Sequence, residues 1–219
     1  KTIIFNLDNK IRQYYNDNMN ENFVSIYKNA ISSDDCKIII DDINSCCLLP
    51  GTMGGIVDTE MKDSLVSPRY FKDNSPASLI IGKSLESCKK EYIKKHPQLN
   101  QIHKWNVDDA YNLQKYNPGQ GYHISHCENA GGASLLRVLS WMIYLNTVND
   151  EGGTSFDNYN MKTSSIEGSL LIWPAYWTHF HHGITSTTET KYIATGWFSY
   201  DNPALETLLF GYFYNPLNS

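Results

Sequence analysis

The stretch GSLLIWPAYWTHFHHGITSTTETKYIATGWFSY, Gly168 to Tyr200, decides the fold. Its β-favouring residues fall in three short runs: GSLLIWP (168–174), THFHHGI (178–184) and KYIATGWFSY (191–200). No helical period separates them, so they read as strands joined by turns. Working outward, the same texture reaches back to about residue 105. YNLQKYN (111–117), YHISHCE (122–128), LRVLSWMIYLN (136–146) and SFDNYN (155–160) alternate with turn signals. Those signals are Asn117-Pro118-Gly119, Gly131-Gly132, Asp150-Glu151-Gly152-Gly153, Glu167-Gly168 and Pro174-Ala175. Evenly spaced short strands without intervening helices predict a sandwich or jelly roll.

Before residue 105 the character is helical. In SSDDCKIIIDDINSC, Ser32 or Ser33 can cap a helix, Asp34 and Asp35 suit its first turn, and Ile38, Ile39, Ile40 and Ile43 follow. SPASLIIGKSLESCKKEYIKKH predicts a second helix, with Leu79, Ile80, Leu85 and Tyr92 as its buried side. Between them, PGTMGGIVDTEMKDSLVSPRYF offers Val57, Leu65 and Val66 among glycines and reads as strand, loop, strand. The expected fold class is mainly β with flanking α, the jelly roll packed against N-terminal helices. The expected organisation is a single domain, 1–219. It comprises a helical region 1–104 holding the strand-loop-strand segment, a β core 105–200 and a C-terminal segment 201–219.

Bulk properties narrow the class. With 219 residues and a net charge of −5, the chain has no concentrated basic face of the kind that phosphate backbones require. The lysines of CKKEYIKKHPQ read as a solvated helix face. No apolar run approaches the roughly 20 residues of a membrane span, and KTIIFNLDNK does not read as a secretory leader. Neither nucleic acid nor membrane is an expected partner. Five cysteines without a CxxC suggest reduced thiols and a cytoplasmic setting, that of the host cell if the source is viral. Abundant Asn, Lys, Ile and Tyr point to an AT-rich viral or bacterial genome.

YHISHCENAGG (122–132) concentrates potential metal ligands. In an extended strand, residues i and i+2 share a face, so His126 and Glu128 project together while Cys127 and His123 point away. A third ligand would come from another strand, and THFHHG offers His179, His181 and His182; the first two share a face by strand parity. Two imidazoles and a carboxylate suit non-haem Fe(II), which must keep positions open for a bidentate cosubstrate and O2. Zinc sites of that composition usually come as HExxH on a helix, which the sequence lacks.

From Tyr111 to Trp197 the chain resembles the prolyl 4-hydroxylase-like branch of the Fe(II)- and 2-oxoglutarate-dependent dioxygenases, and in detail their phage and marine-bacterial members. YNPGQGYHISHCE, RVLSWMIYLN, EGGTSF, GSLLIWP and HHGITSTTETKYIATGW occur in family order. The resemblance implies a double-stranded β-helix core, with Fe(2+) and 2-oxoglutarate as cofactors and ascorbate as an optional auxiliary. It implies His126 and Glu128 as iron ligands, with His181 as the third, ten residues before Lys191; His179 and His182 are its alternates. Lys191 matches the cation that binds the distal cosubstrate carboxylate, and Tyr144, Tyr116 and Thr195 match pocket positions around it. Arg137 and Trp197 match substrate-side positions. Glu128 departs from the aspartate usual in the family, but a carboxylate is present, which favours hydroxylation over halogenation.

The implied activity is hydroxylation of a substrate C–H, most naturally a prolyl residue of a peptide or protein, with O2 consumed and succinate and CO2 released. A free amino acid or small metabolite is the alternative substrate. A non-catalytic jelly-roll binding protein and a zinc hydrolase are the alternative classes. The segment Gly51–Arg69 stands where the family has a mobile substrate loop, which makes it the candidate lid.

Overall fold

Side chains that alternate at period two give each central strand one face for the helices and one for the interior of the jelly roll. The structure, a computed structural model, describes residues 22–201. Its elements are β1 (Ser25–Tyr27), α1 (Ser33–Ser45), β2 (Leu49–Pro50), β3 (Leu65–Tyr70), α2 (Pro76–Lys95) and β4 (Trp105–Tyr116). They continue as β5 (Arg137–Tyr144), β6 (Thr154–Phe156), β7 (Met161–Lys162), β8 (Leu170–Pro174), β9 (His181–Gly183) and β10 (Lys191–Tyr200). One antiparallel sheet has seven strands in the order β1-β8-β5-β10-β4-β3-β2, and a small one has three in the order β7-β6-β9.

Both helices cover one face of the large sheet. Ser32 caps α1 by accepting the Asp35 N–H, and Asp34 and Asp35 occupy the first turn. Cys36, Ile39 and Ile43 form its buried stripe. Ser75 caps α2, Pro76 sits where a missing N–H costs nothing, and Ala77, Ile81, Leu85, Cys88 and Tyr92 face inward. These residues pack with Leu113 of β4, Trp141 and Ile143 of β5, Ile172 of β8, and Ala194 and Phe198 of β10. The alternate residues of the same strands, Met142, Tyr144, Leu171, Trp173 and Ile193, meet Phe156 of the small sheet in a second core. Lys90, Lys94 and Lys95 are exposed, so the basic run is a solvated helix face.

Four sequence expectations need correction. Leu79 is 59% exposed and Ile80 only half-buried, because the buried stripe of α2 runs through Ala77, Ile81 and Leu85. Val57 lies in a loop and is exposed; the first strand of its hairpin is Leu49–Pro50, which pairs with Leu65 and Val66. The proposed lid therefore ends at Ser64, since Leu65–Arg69 belong to β3 and pair with β4. YHISHCE is not a regular strand. It makes only isolated bridges, Tyr122 with Lys62 and His126 with His181, because it changes partner midway. The run SFDNYN starts with the last two residues of the three-residue β6 and passes into a 3-10 turn, and THFHHGI holds the three-residue β9 after another.

Among the described residues no helix is long and apolar enough to cross a membrane. KTIIFNLDNK, and the C-terminal segment beyond Asp201, lie outside the described residues.

The corrected helix face has a direct test. Ile81→Ala removes a fully buried side chain and should cost about 2–5 kcal/mol in urea unfolding. Leu79→Ala should cost less than about 0.5 kcal/mol, as an exposed substitution.

Candidate active site

Three ligand atoms from His126, Glu128 and His181 lie within 4.8 Å of one another. Two elements far apart in sequence bring them there. His126 and His181 form an antiparallel backbone bridge, each N–H donating to the other's carbonyl at 2.9 and 2.8 Å. Their rings sit side by side, 4.4 Å between centroids. His126 Nδ1–H donates to the Ile124 carbonyl (3.1 Å) and His181 Nδ1–H to the His179 carbonyl (2.9 Å). Both Nε2 atoms are thereby turned toward Glu128 Oε1, at 3.4 and 3.6 Å.

Glu128 is held by two further side chains. Trp197 Nε1–H donates to Oε2 at 2.7 Å. Arg137 donates to the Glu128 carbonyl at 3.0 Å, lies 3.5 Å from Oε2, and stacks on the Trp197 ring at 3.6 Å. Burial pushes the Glu128 carboxyl up, but the hydrogen bonds and charges of His126 and His181 outweigh it and hold the group well below its usual range. The carboxylate is ionised.

The other nearby ligand types face elsewhere. His179 sits in a 3-10 turn, so strand parity does not apply to it; its Nε2–H donates to the Asn22 carbonyl (2.8 Å) and its Nδ1 accepts from Thr178 (2.9 Å). His182 pairs with Asp157 at 3.1 Å. The same Asp157 accepts from Ser125, so one carboxylate ties together the neighbours of His126 and His181. His123 is exposed, and Cys127 donates its thiol to the Asn129 carbonyl.

A cavity of about 720 Å³ opens from these ligands between the two sheets. Lys191 of β10 lines it while only 5% exposed, and its ammonium faces the Tyr116 ring at 4.7 Å. No anion lies within ion-pair reach of it among the described residues, and burial pushes the ammonium down to about 8. Tyr116 and Thr195 are joined through Gln114, which accepts from the Tyr116 hydroxyl (3.0 Å) and donates to Thr195 Oγ1 (2.7 Å). Tyr144 does not line the cavity: its hydroxyl is held by Thr154 and Thr163 behind the wall, and Thr154 stands in front of it. Sequence reasoning missed Gln114, whose position two residues before Tyr116 on β4 was the available signal. It also missed Thr154, Lys62 and Tyr122, the last stacked on the His126 ring at 3.8 Å and 12°.

The donor set fits a divalent cation. Each imidazole spends its Nδ1 proton on a carbonyl, so both Nε2 atoms and a carboxylate oxygen converge on one spot. That set needs positive charge between its members, either the Nε2 protons that hold Glu128 ionised or a metal ion that replaces them. Two imidazoles and one carboxylate that leave further positions free are the donors of non-haem Fe(II) sites. A buried, unpartnered lysine in the same cavity fits one end of a dicarboxylate.

Comparison with known proteins agrees with this geometry. Residues 111–199 match the family model of the 2OG-Fe(II) oxygenase superfamily. Among solved structures, a viral collagen prolyl hydroxylase from Paramecium Bursaria Chlorella virus-1, in complex with 2OG, is similar with a TM-score of 0.62 at 18% identity, covering 83% of this chain and 98% of that one. A Pseudomonas putida prolyl-4-hydroxylase gives 0.63 at 15% identity, with 84% and 96% covered. A Trichoplax adhaerens prolyl hydroxylase, bound to a hypoxia inducible factor peptide fragment, gives 0.65 at 17% identity, with 91% and 93% covered. At these identities the likeness establishes the fold. No curated protein sequence matches the chain.

Trp197→Phe removes the indole donor to Glu128 and keeps the ring's bulk. It should weaken Fe(II) binding at least about tenfold, the usual loss when a ligand's hydrogen-bond partner is removed, measured by anaerobic metal titration.

Proposed function

We propose that the jelly-roll core, whose residues 111–199 match the 2OG-Fe(II) oxygenase superfamily model and whose fold is like that of prolyl hydroxylases, is a 2-oxoglutarate- and Fe(II)-dependent oxygenase domain, and that the chain uses it to hydroxylate a prolyl residue of a peptide or protein. The observation that carries the reading is Lys191: a buried cation without an anion, in the same cavity as a His-Glu-His cluster. The prolyl substrate is supported by the neighbours' fold and by the bound peptide fragment of the Trichoplax adhaerens structure.

In this reading His126, Glu128 and His181 hold the iron. Lys191 binds the distal carboxylate of 2-oxoglutarate, beside the Tyr116-Gln114-Thr195 chain of hydrogen bonds. When bound, metal and cosubstrate supply the oxidising chemistry, turning O2 and 2-oxoglutarate into succinate, CO2 and one oxygen inserted into a substrate C–H. The protein's part is positioning and exclusion of water. Trp197 and Arg137 fix the Glu128 carboxylate, leaving Oε1 for the metal. Tyr122 shields His126, while Phe156 and Trp173 flank His181 at 5.6 and 5.1 Å. The loop 51–64, whose Thr52, Met53 and Gly54 line the cavity, acts as the lid over it. Helices, lid and jelly roll act as a single domain, and ascorbate, where needed, serves as auxiliary reductant.

Mass spectrometry of succinate and of a product heavier by about 16 Da, one inserted oxygen, tests the activity on proline-containing peptides. Wild type should form both with Fe(II) and O2. His126→Ala should reduce both to background, and undiminished turnover in that variant would falsify the ligand assignment. Lys191→Met should raise the dissociation constant for 2-oxoglutarate about 10–100-fold, the value of a charge-assisted hydrogen bond.

The pH dependence has a definite sign. The dianion binds the protonated lysine, which loses its proton near pH 8 in the empty cavity. Affinity for 2-oxoglutarate should be flat below that pH and fall by up to about tenfold per unit above it. A calorimetric titration from pH 6.5 to about 9.5 reads the break, and a flat profile would count against Lys191 as the carboxylate partner.

A further inference from the structure

One cation on the cavity wall has no counterpart in the chemistry described so far. The lining residues that carry fixed charge are Lys62, Arg137 and Lys191, with Glu128 as the single acid. A divalent metal and a dianionic cosubstrate cancel each other, so the excess of two positive charges, three cations less one anion, persists in the loaded site. Arg137 is accounted for by Glu128 and by Asp108, whose charge also acts on it. Lys62 is not. Its ammonium faces only the Tyr122 ring, at 5.1 Å, and no carboxylate is within ion-pair distance among the described residues. Glu128 acts on it only through space.

The position of Lys62 is built. Its backbone bridges to Tyr122, and the contacts on either side are regular: His123 N–H donates to the Met61 carbonyl at 2.9 Å and Asp63 N–H to the Gly121 carbonyl at 2.8 Å. Its stem packs over Gly51, where a Cβ would come within 3.1 Å of Lys62 Cε. Tyr122 separates the ammonium from His126 by one stacked ring. The cation therefore stands beside the metal cluster, at the root of the loop whose tip lines the cavity. Holding a half-buried ammonium without an anion is unfavourable, and a bound carboxylate relieves it.

We propose that Lys62 is the anion-binding residue of the substrate subsite, and that the substrate presents a carboxylate to it, either the α-carboxylate of the hydroxylated residue or an acidic side chain next to it. The proposal rests on the oxygenase reading of the cavity and names the substrate class within it.

The test is calorimetric binding to the full chain, loaded anaerobically with Fe(II) and 2-oxoglutarate so that Lys191 is already occupied. Two probe pairs differ only in charge: N-acetyl-L-proline against N-acetyl-L-prolinamide, and the blocked tripeptides Glu-Pro-Ala against Gln-Pro-Ala. The acid of one pair should bind at least about tenfold tighter than its neutral partner, and the pair that shows it identifies the source of the carboxylate. Lys62→Met should erase the preference and Lys62→Arg should keep it, while 2-oxoglutarate affinity stays within about twofold in both. Absence of 2-oxoglutarate binding in the wild type would overturn the oxygenase reading itself. Normal 2-oxoglutarate binding with equal affinities within both pairs, with no saturable binding of either acid, or with a preference that survives in Lys62→Met, would overturn the role of Lys62 alone.

Discussion

Two backbone hydrogen bonds between His126 and His181 set the geometry of the site. In a hydrogen-bonded antiparallel pair, opposite residues send their side chains from the same face of the ladder. One such pair suffices to put two imidazoles side by side, although the segment 122–128 forms no regular strand. The surrounding groups reinforce it. Asp157 accepts from Ser125 and pairs with His182, and its own N–H donates to the Phe180 carbonyl at 3.0 Å. The residues flanking both histidines are thus tied to a single carboxylate. Carbonyls of Ile124 and His179 then fix how each ring is rotated. Ligand placement is decided by backbone, where a local sequence change perturbs it least.

The bridge is positioned in turn by the division of labour in the large sheet. On β10, Ala194, Gly196 and Phe198 face the helices, while Lys191, Ile193, Thr195 and Trp197 face the interior. Gly196 is required by packing: a Cβ there would lie 2.5 Å from the Trp141 ring. The helix-covered core therefore presses directly on the strand that carries Lys191 and Trp197. A shift of that strand would move the buried ammonium and the indole that holds Glu128 together.

Much of this was legible in the sequence because it is written in local patterns. Period-two alternation located β10 with its observed ends, Lys191 and Tyr200. Capping chemistry located the start of the first helix. The choice among three neighbouring histidines was not legible from parity, since His179 occupies a 3-10 turn and only His181 belongs to the strand. That choice came from spacing to Lys191 in a family resemblance. Tyr144 illustrates the opposite failure. Its place in the sequence matches a pocket position, but its hydroxyl is claimed by Thr154 and Thr163, residues contributed by a different part of the chain. Lys62 was invisible for the same reason, as its environment is made by Tyr122 and Gly51 through pairings that no local pattern encodes.

The glutamate at position 128 follows from the same non-local logic. One methylene carries a carboxylate about 1.5 Å further than aspartate would. In this site the added reach is used twice: Oε1 arrives between the two imidazoles and Oε2 arrives at the Trp197 indole. An aspartate on the same backbone could not keep both contacts. Trp197, for its part, is aimed by a register shift between Gly196 and Phe198, where β10 slips against β4. Irregularities of this kind re-aim side chains beside active sites. The longer acid, the indole and the slipped register therefore form one unit. Arg137 closes it, stacked on the indole and bonded to the Glu128 carbonyl, so the carboxylate is held from its backbone and from its outer oxygen while the inner oxygen stays free for a metal.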